Sequence, residues 1–322
     1  MSPLQPWIDD FLLYMQDQRG CSPRTRDTYR ISLTDCADVL TAFRPGLTWE
    51  QVDTPLVRRW VAWMSERGYA PNTINRSLAS LRSFFKFLLR EERVLVDPAR
   101  LVRNPKAPKR LPTFVQENEM DRLFDHYPFS DDYVGLRDRT ILLLLYHTGV
   151  RAAELLGLNT GDVELTRGAA HLRVTGKGNK QRIVPFGEEL RQALLTYLDY
   201  RAETFADAVL DEPHALFLTP RCRRLAYSAL LKMVRTTLGA VTTQKKRSPH
   251  VLRHSFATAM LAHGANLESI QQLLGHERVD TTAIYTHIPD LELKEIYAKA
   301  HPHSGGVNRY ASAVCRNITD LA

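Results

Sequence analysis

Ten residues, "RNPKAPKRLP" at 103–112, constrain the fold more than any other stretch of the chain. Three prolines in ten positions remove backbone donors and push the residues before them out of the helical region. No apolar period crosses the stretch, so it reads as an extended, semi-rigid linker. The 322 residues therefore divide into two parts, each needing a core of its own. Arg103, Lys106, Lys109 and Arg110 give the linker the charge to follow a phosphate backbone.

Residues 1–102 read as four short amphipathic helices. In "PWIDDFLLYM", Trp7, Ile8, Phe11, Leu12 and Met15 keep the i, i+3, i+4 spacing of one buried face. "CSPRTRDTYRISLTDCADVL" opens with Ser22 as a cap and Pro23 as first helical residue. "TPLVRRWVAWMSERG" ends at Gly68, and a last helix begins after Pro71 in "APNTINRSLASLRSFFKFLLREE". The polar faces carry Arg24, Arg26, Arg30, Arg58, Arg59, Arg76, Arg82 and Lys86 with few acids between them. Any one of these could be a solvated surface charge; as a set they suit phosphate contact.

From Thr113 the pattern changes. "QENEMDRLFDHY" is helical, and "RDRTILLLLYHTG" is apolar almost all round, which predicts a buried helix stopped by Gly149. "AAHLRVTGKGNKQRIVPFG" alternates, breaks at Gly176 and Gly178, and alternates again as a β-hairpin does. Helices resume at "EELRQALLTYLDYRAE" and run from Ser228 almost to His303, after which residues 304–322 form an extension with a weak apolar pattern. The expected fold class is mainly α with one small antiparallel sheet.

Composition narrows the function without naming it. With 44% hydrophobic and 25% charged residues the chain is an ordinary soluble one, and its net charge of +7 suits a polyanionic partner. Cys21, Cys36, Cys222 and Cys315 show no C-x-x-C pair and no framework spacing, which fits a reducing cytoplasm. The first residues lack a charged start followed by an apolar stretch, and Ile141 to Tyr146 is too short to cross a bilayer. Export and membrane anchoring are not expected.

Five stretches of the second part hold polar groups that stability does not ask for. In "TGVRAAELLGL", Arg151 follows the break at Gly149 with Glu154 three residues on, a pair that could also simply cap a helix. Lys177 stands between glycines at the hairpin tip of "TGKGNKQR". In "SPHVLRHSFATAMLAHG", Phe256, Met260 and Leu261 mark a buried face. Ser248 and Pro249 start the helix, and His250 and Arg253 project together at i, i+3 while His254 points elsewhere. Cations at a helix start cost stability unless an anion arrives. His276 follows Gly275 in "LLGHERVDTT", and Tyr285 lies in "TTAIYTHI". The His250 and His254 spacing allows zinc, but the glutamate of H-E-x-x-H and a third ligand are missing. Two arginines, two imidazoles, a lysine and a tyrosine make a metal-free site for a phosphodiester. Guanidinium forks neutralise the non-bridging oxygens, the tyrosine attacks, and a lysine or histidine protonates the leaving oxygen.

The order Arg151 in T-G-x-R-x-x-E, Lys177 in G-K-G-N-K, His250 and Arg253 in H-x-L-R-H-S-F-A-T, His276 in L-L-G-H and Tyr285 in Y-T-H resembles the tyrosine recombinases. The bacterial Xer-type subgroup is the nearest match, from about Trp7 to His303. The resemblance implies an N-terminal four-helix, SAM-like core-binding domain (1–102), the basic linker (103–112), a catalytic domain (113–303) and an extension (304–322). It implies that Tyr285 attacks the scissile phosphate to give a 3′-phosphotyrosyl link. Arg151 and Arg253 would stabilise the phosphorane, Lys177 would protonate the 5′-oxygen, His250 would assist proton transfer and His276 would bond a non-bridging oxygen. Glu154 would support the arginine.

Neither ATP, metal nor any other cofactor is expected. The expected partner is double-stranded DNA with inverted-repeat arms, bound by a tetramer formed with copies of the chain or with a second recombinase subunit and passing through a Holliday junction. Residues Asp290 to His303 resemble the segment that such subunits lend to a neighbour. Further DNA contacts are expected from Arg24, Arg26, Arg76, Arg82, Lys86, Lys106, Lys109, Arg110, Lys180, Arg182, Lys245, Lys246 and Arg247. The biological role is left open between chromosome or plasmid dimer resolution, transposon cointegrate resolution and mobile-element integration. A topoisomerase of type IB, a silent DNA-bridging protein and a helix-turn-helix factor are the alternatives. The last leaves Lys177 and Tyr285 without a role.

Overall fold

The structure is a computed structural model that describes residues 4–108, 113–275, 297 and 299–301, and of Lys177 the backbone only. The chain forms two compact units, Met1–Arg110 and Leu111–Ala322. Their cores share no residue.

The first unit contains α1 (Gln5–Asp17), α2 (Pro23–Phe43), α3 (Thr54–Glu66) and α4 (Pro71–Arg90), with a single 3-10 turn at Trp49–Gln51. Proline opens α2 and α4, where its missing N–H costs no helical bond, so α4 starts at Pro71 itself. Ser22 caps α2 by accepting the Thr25 N–H at 3.3 Å, and Asp53 caps α3 by accepting that of Leu56 at 2.8 Å. The apolar stripes meet around Phe11, Trp60 and Phe84. Trp49 packs edge-on against Phe84 at 4.8 Å between centroids and donates its buried indole N–H to the Leu4 carbonyl at 2.8 Å.

The second unit runs α5 (Glu117–His126), α6 (Tyr133–Thr148), α7 (Ala152–Gly157), β1 (Val163–Glu164), β2 (His171–Thr175), β3 (Gln181–Pro185), α8 (Glu188–Thr204), α9 (Tyr227–Val241), α10 (Pro249–Ala262) and α11 (Leu267–Leu274). Helix α6 is its axis: every residue from Thr140 to Thr148 is buried, and α8 and α10 pack against it. The sheet is antiparallel in the order β1-β2-β3, with Val174 opposite Arg182. The expected hairpin is β2–β3, joined through a 3-10 turn at Lys177–Asn179, and it gains the two-residue β1 as a third strand.

Ser248 and Pro249 start α10 as expected, Ser248 at the cap position without a bond from its hydroxyl, while one expectation for its buried face is corrected. Phe256 and Met260 are buried, whereas Leu261 is half exposed, because i and i+4 share a helix face and i+5 has turned off it. Among the described residues no helix is long and apolar enough to cross a membrane.

Candidate active site

Helix α6 ends at Gly149, whose φ of +59° puts the backbone in the left-handed region. Glycine is required twice over there, since a Cβ would lie 2.5 Å from Phe256 Cδ1 and 2.9 Å from Leu274 Cδ2. The turn delivers Arg151 to the N-cap of α7, and Glu154 follows in the helix's first turn. Glu154 Oε2 accepts the Arg151 backbone N–H at 2.8 Å, and Oε1 accepts Arg151 Nη1 at 2.8 Å. The pair thus both caps α7 and fixes the guanidinium.

Glu154 has a second cation. Arg182 donates Nη1 to Oε1 at 3.0 Å and Nη2 to Oε2 at 2.9 Å, a two-bond fork. Burial alone would raise this carboxyl, but the bonds from Arg182 and Arg151 outweigh it and hold its pKa at about 2. The site therefore contains a fixed negative charge surrounded by guanidinium groups.

The third guanidinium comes from α10. Arg253 is buried, and donates Nη1 to the Gly149 carbonyl at 2.7 Å and Nη2 to the Leu274 carbonyl at 2.6 Å. Burial, then the neighbouring charge of Arg151, lowers its pKa to about 10 despite Glu154. The three arginines converge on one feature. Arg182 Nε donates to Leu273 O at 3.0 Å, Arg253 to Leu274 O, and Arg151 Nη2 to Gly275 O at 3.0 Å. Those carbonyls close α11, where helical oxygens lack partners and the helix dipole is negative. The C-terminal end of α11 thus holds three cations side by side, and His276 is the next residue in sequence.

His250 and His254 are both exposed on α10. Arg253, between them in sequence, is buried; burial first, then the charges of His250 and Arg253, lowers the His254 pKa. Lys177 has its backbone in the turn at the hairpin tip. His276 and Tyr285 lie outside the described residues, as do Lys109, Arg110 and the extension 304–322.

The expected DNA contacts differ in exposure and in the bonds they make within the fold. Arg24, Arg76, Lys86, Lys106, Lys180, Lys245 and Lys246 are exposed, and Arg24 and Arg76 line one open pocket with Ser22, Thr28 and Tyr29. Arg26 bonds Gln16. Arg247 donates to Gln244 O at 2.8 Å and Thr242 O at 3.1 Å. Arg82 and Arg182 are the most fully bonded within the fold. Arg82 donates to Ala99 O at 3.0 Å, to Asn104 Oδ1 at 2.9 Å and to Val102 O, which ties α4 to the segment after it. Arg182 is spent on Glu154 and α11. Each of the two uses three of its five N–H donors inside the fold.

Sequence reasoning paired Glu154 with Arg151 but missed its bond to Arg182. The signal was present: Arg182 and Val184 share a strand face, and a cation on a face that carries a buried valine needs an internal anion. Among the described residues no three of His, Cys, Asp and Glu converge on a point that could hold a metal ion.

The pattern of the phage integrase family matches residues 113–292, and that of the phage integrase N-terminal SAM-like domain matches residues 8–92. The tyrosine recombinase XerC of Chlorobaculum parvum is 38% identical, over 92% of this chain and 94% of its own. That of Pelotomaculum thermopropionicum is also 38% identical, over 93% and 99% respectively. Among solved structures, the XerH site-specific recombinase bound to palindromic difH substrate superposes with a TM-score of 0.68 at 22% identity, covering 87% of this chain and 81% of that one. The Tn1549 transposon integrase in complex with a circular intermediate DNA gives 0.62 at 18%, covering 84% and 91%. At such identities these two speak for the fold.

Proposed function

Since the chain belongs to the phage integrase family of tyrosine recombinases, we propose that it cuts and rejoins duplex DNA at a specific site through a covalent tyrosine intermediate. The observation that carries this reading is the seating of Arg151 and Arg253 on adjacent carbonyls at the end of α11. Two guanidinium groups fixed before any ligand arrives are what a phosphate gaining negative charge in its transition state requires. The three arginines outnumber their one carboxylate; burial first, and after it the charge of Arg151, lowers the pKa of Arg253. A phosphate's non-bridging oxygens supply the missing anion.

In this reading the phenolic oxygen of Tyr285 attacks the phosphorus, the bond to the 5′-oxygen breaks, and a 3′-phosphotyrosyl link forms. The phenol proton leaves with help from His250, and Lys177 protonates the departing 5′-oxygen. His276 bonds a non-bridging oxygen. One ester replaces another, so bond energy is conserved and rejoining needs neither ATP nor a metal. Partner strands exchange through a Holliday junction in a tetramer on DNA with inverted-repeat arms. Exposed cations of the first unit, Arg24 and Arg76 above all, contact the backbone of those arms.

The test is covalent trapping. Fragmented, nicked duplex DNA is incubated with the protein in EDTA, and whatever remains attached after digestion is sequenced. The wild type should enrich sequences with two inverted arms. Tyr285→Phe should leave DNA affinity near wild type and give no adduct. A persistent adduct in that variant sinks the assignment of the nucleophile.

A further inference from the structure

Arg182 and Arg173 both leave the β2–β3 hairpin from a strand, but Arg173 is exposed whereas Arg182 points inward. Opposite Val174 across the β2–β3 ladder, with its side chain 17% exposed, it donates from each of its three nitrogens to a different acceptor atom. Two of those acceptors belong to Glu154 and the third is the Leu273 carbonyl. Its guanidinium also lies against Gly275, where an added Cβ would come within 3.2 Å of Arg182 Cζ. One side chain thereby joins the turn end of the hairpin that carries Lys177, the carboxylate that holds Arg151, and the helix end that precedes His276.

We propose that Arg182 is a positioning residue for strand cleavage. It occupies both oxygens of Glu154, so that the Arg151 guanidinium reaches that carboxylate through Nη1 alone, beside the capping bond from its own backbone N–H, and keeps Nη2 on Gly275 O. Without Arg182 both carboxylate oxygens lose a partner, and the Arg151 guanidinium can take them as a two-bond fork, the geometry that guanidinium and carboxylate prefer. Arg151 would then leave α11, and its charge would be neutralised at the point where a phosphate needs it. The proposal rests on the recombinase reading above and replaces the expectation that Arg182 contacts DNA.

The experiment compares wild type, R182A and R182K on a pool of nicked duplexes with randomised interiors. It measures the dissociation constant and, separately, the rate of covalent trapping at saturating DNA, with a melting curve for each variant. R182A should trap about 100-fold more slowly, the scale expected when a reacting group is displaced by about an ångström. Its affinity should stay within about 3-fold of wild type. R182K keeps the charge but lacks the planar fork that meets both Glu154 oxygens while reaching Leu273 O, so it too should trap at least about 10-fold more slowly. It carries the test if R182A does not fold.

A backbone contact would behave differently. R182A would then bind more weakly but trap at the wild-type rate once saturated, and R182K would match wild type in both; this pattern overturns the proposal and leaves the recombinase reading intact. A purely structural role would lower melting temperature and affinity together, with the saturated rate unchanged, and would overturn it equally. If the wild type binds the pool but forms no adduct, the recombinase reading fails and the positioning role falls with it.

Discussion

Glu154 holds one negative charge against Arg151 and Arg182, and its carboxyl titrates at about 2 rather than near 4.5. A carboxyl whose pKa is depressed by folding contributes stability above its unfolded value, and that stability is lost as pH falls through the folded one. The window here runs from about 4.5 down to about 2. At one pKa unit per 1.36 kcal/mol, the shift corresponds to about 3 kcal/mol at neutral pH. Glu154→Gln should therefore cost about 3 kcal/mol at pH 7, and its deficit relative to wild type should shrink to about 1 kcal/mol near pH 3. Urea unfolding of both proteins across that range checks it; a deficit that does not change with pH would mean that the carboxylate charge is not what holds the cluster. At this scale the sequence was legible where a side chain answers a side chain. The pairing of Arg151 with Glu154 follows from their spacing on one helical turn. The seating of Arg151 and Arg253 on α11 does not, because their acceptors are backbone carbonyls that every residue carries.

The elements were legible in proportion to the length of their period. Helices α2 and α4 show several turns of apolar spacing and a proline start, so their existence and first residues could be read within a position. Strand β1 has two residues and α7 six, too few for a period to emerge; both are fixed by what they pack against. The break at Gly149 was legible as a stop but not as a contact. Its left-handed φ costs an L side chain about 1–2 kcal/mol. A methyl group driven into Phe256 and Leu274 adds about 1–3 kcal/mol of overpacking. Gly149→Ala should thus destabilise by about 2–5 kcal/mol and, because the Gly149 carbonyl holds Arg253, slow covalent trapping as well. Gly178 is the control. It has a φ of +73° but no atom within 4 Å of an added Cβ, so Gly178→Ala should cost only the backbone share, about 1–2 kcal/mol. Urea midpoints of the two variants decide this; equal losses would deny the contact with Phe256 any part in it.

For the whole molecule, the division into two cores was written in the prolines of 103–112, and the positive balance was written in the composition. Which cations are available to an outside partner was not, because an arginine on a polar helix face looks the same whether it meets water or a neighbouring carbonyl. Arg76 and Arg82 sit on the same helix and differ in this one respect. The first is exposed beside Arg24; the second is bound to Ala99, Val102 and Asn104. Each phosphate neutralised on duplex DNA steepens the dependence of log affinity on log salt by about 0.9. R24A/R76A should therefore weaken DNA binding at low salt and flatten the slope by about 1.8, with melting temperature unchanged. Arg82→Ala should do the reverse. Losing bonds to Ala99, Val102 and Asn104 should cost stability, at about 1 kcal/mol for each bond lost, while the salt slope stays at the wild-type value. Fluorescence anisotropy on labelled duplex from 50 to 300 mM salt, about the range over which such slopes are resolved, measures both. If Arg82→Ala flattens the slope as the double variant does, its internal bonds yield to DNA and the separation of committed from available cations does not hold.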